Sequence, residues 1–202
     1  MQSLWLSLLL VSPTWAISDS INLPSVTLSA GVVQGAECSN GAAAYLNIPF
    51  AQPPIGALRF TSPQAYNESY PSGTLDATTP GPACIQFGDS AFVESGPASE
   101  DCLHLDVWVP PNANKSSALP VKIWIYGGGE QDGGISNALY NGCNVAADGA
   151  ILVSINYRLG SLGFLALDSA GIDGNFGIQD ILLGLQWVQS NIAAFGGDTV
   201  RY

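Results

Sequence analysis

Apolar residues are gathered in short, widely spaced blocks along the chain, and the densest is Val121-Lys122-Ile123-Trp124-Ile125-Tyr126. Five of its six residues are β-branched or aromatic, which predicts a strand; with only Lys122 polar, a central strand covered on both faces is expected. Leu105-Asp106-Val107-Trp108-Val109 and Ile151-Leu152-Val153-Ser154-Ile155-Asn156-Tyr157 predict two more strands of the same apolar kind. Nearer the start, Val26-Thr27-Leu28 and Gly31-Val32-Val33-Gln34-Gly35 predict a short hairpin, and Ala43-Ala44-Tyr45-Leu46-Asn47-Ile48 a further strand. Between 177 and 195 the spacing changes: Ile178, Ile181, Leu182, Leu185, Val188 and Ile192 recur at helical intervals. Residues 49–60 carry three prolines, and residues 61–100 are rich in Ser, Pro, Gly and Thr without periodicity, so a long loop is expected there. Such a loop is unusual in a compact domain unless it is tied down or functional. The pattern as a whole predicts an α/β sheet with helices on its faces, preceded by a small antiparallel sheet.

Length and composition narrow the possibilities. A chain of 202 residues can bury one substantial core. Charged residues are only 10%, yet 16 acids against 5 bases give a net charge of -11, which repels a phosphate backbone and argues against nucleic acid as a partner. Hydrophobic content of 47% excludes a disordered chain. The apolar block Leu4-Trp5-Leu6-Ser7-Leu8-Leu9-Leu10-Val11, followed by Thr14-Trp15-Ala16, predicts a signal peptide over 1–16, with the mature chain over 17–202 and an extracellular destination. No later apolar run is long enough to cross a bilayer. The sequons at Asn67 and Asn114 fit a secretory route. Cys38, Cys84, Cys102 and Cys143 are widely spaced, with no CxxC and a single histidine, so disulfides are expected and a metal site is not. Cys84 and Cys102 could tie the long loop, closing it at a gain of about 3 kcal/mol in the chain-entropy account.

The candidate chemistry lies where the densest strand stops. Gly127-Gly128-Gly129 lets the backbone turn through positive φ and brings N–H groups close to an anion with no side chain in the way. A glycine-rich connection with no chemistry is the competing reading.

Seven blocks in order decide between them: Gly56-Ala57-Leu58-Arg59-Phe60, Ser99-Glu100-Asp101-Cys102-Leu103, Trp124-Ile125-Tyr126-Gly127-Gly128-Gly129, Asn156-Tyr157-Arg158-Leu159-Gly160, Gly174-Asn175-Phe176-Gly177, Leu185-Gln186-Trp187-Val188-Gln189 and Phe195-Gly196-Gly197-Asp198. Together they resemble the type-B carboxylesterase family of carboxylesterases, fungal lipases and cholinesterases, on the α/β-hydrolase fold. The resemblance implies the N-terminal portion of that fold, with an incomplete mixed central sheet. It implies hydrolysis of small carboxylic esters through a serine acyl-enzyme, without metal or organic cofactor. By resemblance, the backbone N–H groups of Gly128 and Gly129 belong to the oxyanion hole, and Cys84 pairs with Cys102. Two structural ion pairs are implied as well, a buried one of Arg59 with Glu100 and one of Arg158 with Asp198.

The departures matter as much. The family's nucleophile lies in a G-x-S-x-G elbow a short way beyond FGGD, and no such motif occurs in these 202 residues. The one imidazole, His104, falls in a strand block and reads as a core or edge histidine, not a catalytic base. The triad is therefore expected to lie outside this chain, which would be inactive alone; the alternative is a secreted, non-catalytic binding module. Asp198 is not followed by the proline common in the family, and Glu130 stands where an aromatic commonly follows the glycines. Phe87-Gly88-Asp89-Ser90 with Asp101-Cys102-Leu103-His104 mimics the two blocks of another esterase superfamily. Those blocks stand at opposite ends of that superfamily's domain, so a Ser90–His104 dyad is not expected here. The loop between Cys84 and Cys102 holds Phe87 and Phe92 but no Trp, which favours a general carboxylesterase over a choline esterase. In the family's strand order the nucleophile strand neighbours the one before the glycines, so 121–126 would stand at an open edge here.

Overall fold

The computed structural model describes residues 23–86 and 98–200. The expected signal peptide over 1–16, Phe87 to Ser90 and Phe92 lie outside the described residues. Two sheets form. In the smaller, β1 (Ser25–Leu28) and β2 (Gly31–Gln34) make the expected antiparallel hairpin. A third strand, β5 (Thr74–Asp76), pairs parallel to β2, with Val33 opposite Leu75. The small sheet is therefore mixed, not purely antiparallel. Its third strand lies in the stretch without periodicity, where three residues are too few to show an alternation.

The larger sheet runs β3-β4-β6-β8-β7, built from β3 (Ala36–Glu37), β4 (Ala43–Pro49), β6 (His104–Val109), β8 (Ile151–Ile155) and β7 (Val121–Trp124). Every pairing is antiparallel except β7 on β8. Register sorts the side chains into two layers, because alternate residues point to opposite faces. Leu105, Val107, Ile151, Val153, Ile155 and Val121 share one face and enter the main core with Val188, Ile192 and Phe195. Trp108 and Leu152 share the other face and pack in a smaller cluster with Ala44 and Ala146. That second face is closed by α1 (Cys143–Ala147), whose first residue is disulfide-bonded to Cys38 across a sequence separation of 105. The second disulfide joins Cys84 to Cys102.

The main face is covered by α3 (Phe176–Asn191), which continues into a 3-10 turn over Ile192–Phe195. Its extent matches the apolar spacing, but its buried stripe does not. The stripe is Phe176, Gly177, Asp180, Gly184 and Val188, while Ile178 and Leu182 are 44% and 53% exposed. Glycine sets this rotation: a Cβ at Gly184 would stand 2.7 Å from Cγ2 of Ile155, so the helix lies on the sheet through a residue without a side chain.

Strand β7 corrects the expectation of two-sided cover. Among the described residues it stands at the sheet edge, paired only with β8. Val121 is buried, Lys122 is exposed, and Trp124 and Ile125 are each 40% exposed. No helix among the described residues is long and apolar enough to cross a membrane.

Candidate active site

The chain leaves β7 through Ile125 and Tyr126 and enters the glycine loop. Tyr126 is fully buried and stacks on Tyr157 at the end of β8, with ring centroids 4.7 Å apart. The two rings lock each other's backbone: the Tyr126 hydroxyl donates to the Tyr157 carbonyl at 3.2 Å, and the Tyr157 hydroxyl donates to the Tyr126 carbonyl at 3.0 Å. Burial pushes both phenols up in pKa, and for Tyr157 the nearby Glu130 and Asp132 carboxylates add to it. Both tyrosines therefore stay neutral donors at ordinary pH.

Beyond this clamp, Gly128 and Gly129 take φ of +136° and +62°, and Glu130 follows at +63°. The N–H groups of Gln131 and Asp132 turn back onto the Gly128 carbonyl at 3.2 and 3.3 Å. A Cβ at Gly128 would collide with the Asp132 carbonyl oxygen, so the turn closes only around glycine. Two further ties fix the loop. The Glu130 carbonyl accepts from Gly160 N–H at 2.7 Å, at the start of α2 (Gly160–Phe164). The Gln86 side-chain amide donates to the Gly133 carbonyl at 2.9 Å and accepts from Gly133 N–H at 3.0 Å. Among the described residues, the Gly128 and Gly129 N–H groups have no acceptor. Beside them opens a cleft of about 370 Å³, lined by Gly129, Glu130, Gln131, Ser161, Phe164 and Leu165. No described cation pairs with Glu130 or Asp132, so the mouth of the cleft is negative on one side and apolar on the other.

Arg158 lies just below. The resemblance pairs it with Asp198, and the structure corrects this: Asp180 of α3 takes the guanidinium in two hydrogen bonds of 2.8 Å and also accepts from Arg158 N–H at 3.0 Å. Both residues are buried, and the guanidinium also lies over the Phe176 ring at 5.3 Å. Burial pushes the Asp180 carboxyl up in pKa while these three donors pull it down. Asp198 instead caps the chain locally, accepting from Val200 N–H at 3.0 Å. Arg59 and Glu100 do meet, in two contacts of 2.6 Å, but at the surface, with side chains 43% and 26% exposed. Each raises or lowers the other toward its charged form, chiefly through the shared hydrogen bonds.

His104 is largely buried in β6 with Nδ1 unpartnered, and its Nε2 lies 3.6 Å from Asp101. Burial pushes its pKa down against the pull of Asp101. Ser90 lies outside the described residues. Asn67 and Asn114 are both exposed. No group of three or more metal-ligating side chains converges among the described residues.

Tyr126 and Tyr157 stand within two of the matched blocks, but nothing in those blocks joins one ring to the other. Gln86 lies in none of them, and Asp180 leaves only the trace of a lone carboxylate in an apolar helix with Gly177 and Gly184 one turn to either side.

A profile of the carboxylesterase family matches residues 22–201. Acetylcholinesterase of Gallus gallus is 41% identical over 98% of this chain and 28% of its own length. Fumonisin B1 esterase of Sphingopyxis macrogoltabida is 40% identical over 94% of this chain and 35% of its own length. A solved structure of PNB esterase superposes with a TM-score of 0.76 at 41% identity, covering 86% of this chain and 36% of that one. The chain thus spans about a third of the length of the relatives it matches.

Proposed function

Since the chain belongs to the carboxylesterase family, we propose that it serves the hydrolysis of carboxylic esters, with the Gly128 and Gly129 N–H groups as the donor half of an oxyanion hole. The observation that carries this is the pair of N–H groups without an acceptor among the described residues in the loop after β7, next to the Tyr126–Tyr157 clamp, with Gly129 lining the cleft. Attack on an ester carbonyl moves a full negative charge onto its oxygen. Donors already aimed at that position stabilise it without reorganising, and losing one donor costs about 10²–10³-fold in rate. Phe164 and Leu165 would receive an apolar acyl chain, and Glu130 would disfavour esters carrying their own carboxylate. The nucleophile, its base and the acid do not come from these residues in our reading. We place the protein on the secretory route, outside the cell, in keeping with its two disulfides.

The test is p-nitrophenyl butyrate hydrolysis by two proteins: this chain alone, and the chain extended along its reading frame through any G-x-S-x-G elbow. The chain alone is expected to match a denatured control, and the extended protein to turn over. Gly128→Ala in the extended protein keeps the N–H but moves it, since its Cβ would collide with the Asp132 carbonyl oxygen, and is expected to lower kcat by up to about 10²–10³-fold, the loss for a missing donor. An extended protein without hydrolysis would favour a non-catalytic binding module; turnover by the chain alone would overturn our placement of the triad.

A further inference from the structure

A second groove lies away from the glycine loop. About 530 Å³ in volume, it runs between the β1–β2 turn, the segment after β4 and the last two turns of α3. That volume is in the range of small-ligand sites. In a chain of net charge -11, its lining contains no charged side chain. It offers instead the aromatic rings of Tyr66 and Trp187, the amide of Gln186, and that of Asn191, whose Nδ2 already donates to the Trp187 carbonyl at 2.9 Å. Tyr66 stacks with Tyr70 at 5.9 Å, and its backbone N–H is pinned to the Phe50 carbonyl at 3.1 Å, so this wall is held in place. The Gln186 side chain has no hydrogen-bond partner among the described residues. Rings that offer an apolar face, neutral amides and an absence of charge suit a neutral, polyhydroxylated ligand.

One such ligand can be delivered to this groove covalently. Asn67 forms part of its lining and begins the sequon Asn67-Glu68-Ser69. Its side chain is exposed and makes no hydrogen bond among the described residues, which leaves Nδ2 open. We propose that Asn67 carries an N-linked glycan whose first sugars lie in this groove, over Tyr66 and against Trp187. In the transfer, Asn67 Nδ2 bonds to the anomeric carbon of a lipid-diphosphate-linked oligosaccharide. The bond from that carbon to the phosphate oxygen breaks with its electron pair, the lipid diphosphate leaves, and one Nδ2 proton passes to a base of the transferring enzyme. Asn114 is the internal contrast: it sits in a polar turn, its Oδ1 accepting from Ser116 N–H at 3.0 Å, and it lines no groove described here.

The reading rests on the secretory route, and the test keeps the two apart. The full chain is expressed in a eukaryotic cell once with its own N-terminus and once behind an added cleavable leader that forces lumenal entry. Peptide mass spectrometry reads glycan on Asn67 and Asn114, and hydroxyl-radical footprinting reads Trp187. With the leader, glycan on Asn67 is expected. Oxidation of Trp187 should be several-fold slower than in Ser69→Ala, and should speed up again when the glycan is removed enzymatically from the same sample under native conditions. Glycan with the leader but not with the native N-terminus, together with a slowed Trp187, would refute secretion while supporting the groove. With the leader, an unmodified Asn67, or a Trp187 equally reactive with and without the glycan, overturns the proposal.

Discussion

Arg158 is buried, and its charge is met there by two guanidinium hydrogen bonds to Asp180, which also accepts from the Arg158 backbone N–H. Removing one partner strands the other in the core, at a cost of about 3–5 kcal/mol. Asp180→Ala is therefore expected to lower the urea midpoint sharply, whereas Arg59→Met, which breaks an exposed pair, should barely move it. A reading by sequence finds both arginines but gives Arg158 the wrong partner. Charge and motif order say that an acid is needed, while choosing it requires knowing that Gly177 and Gly184 bring the Asp180 face of α3 onto the sheet. Asp106 was invisible in the same way, as one polar residue in an apolar strand. It is fully buried, accepts a hydrogen bond from Asn47 N–H at 2.8 Å, and burial pushes its carboxyl pKa up to about 7. The folded chain thus holds this proton more tightly than the unfolded one. Its contribution to stability is full below the ordinary carboxylate pKa and is lost as pH rises toward 7, a swing of about 4 kcal/mol. His104, two residues away on the same face, acts in the opposite sense, since its lowered pKa costs stability as pH falls. The difference between the chain and Asp106→Asn isolates the carboxyl: denaturation midpoints from pH 4.5 to 7.5 should converge or cross, with the variant gaining on the chain as pH rises.

At the level of elements, what periodicity carries is existence and extent, and what it misses is rotation. Helix α3 runs where Ile178 to Ile192 place it, yet Ile178 and Leu182 face outward because the contact with β8 is made by glycine. Backbone-to-sheet approach is decided by the smallest residues on the helix, and these add nothing to an apolar stripe. The consequence is an inverted sensitivity. Gly184→Val should destabilise by about 1–3 kcal/mol, the range for overpacking, because its Cβ meets Ile155 at 2.7 Å. Leu182→Gln should change little; a calorimetric Tm series across the two substitutions reads the contrast directly. Strand β5 is the complementary miss: its three residues gain their strand geometry from the parallel edge of β2, not from their own pattern. The glycine loop was legible because its chemistry is carried by residue type and order, whereas the tyrosine clamp beneath it depends on the β7–β8 register.

For the molecule as a whole, the decisive feature is the free side of β7. A strand that is apolar throughout looks the same in sequence whether it is central or at an edge; only the strand order separates the two. Among the described residues no strand pairs with this edge, which carries Trp124 and Ile125, and Leu139 stands 82% exposed on the adjoining segment. An apolar edge of this kind templates pairing with another copy. The net charge of -11 opposes that approach, and salt screens it, since the Debye length falls from roughly 30 Å at 0.01 M to about 10 Å at 0.1 M. Apolar and backbone contacts are not weakened in the same way. Association of the chain should therefore strengthen as salt is added, the reverse of what a charge-driven contact would do. Sedimentation velocity at low and moderate salt should show mass shifting out of the monomer boundary, and the paired substitution Trp124→Lys with Ile125→Lys should restore the monomer at both. A chain that stays monomeric as salt rises would show that the β7 edge is protected by something other than charge.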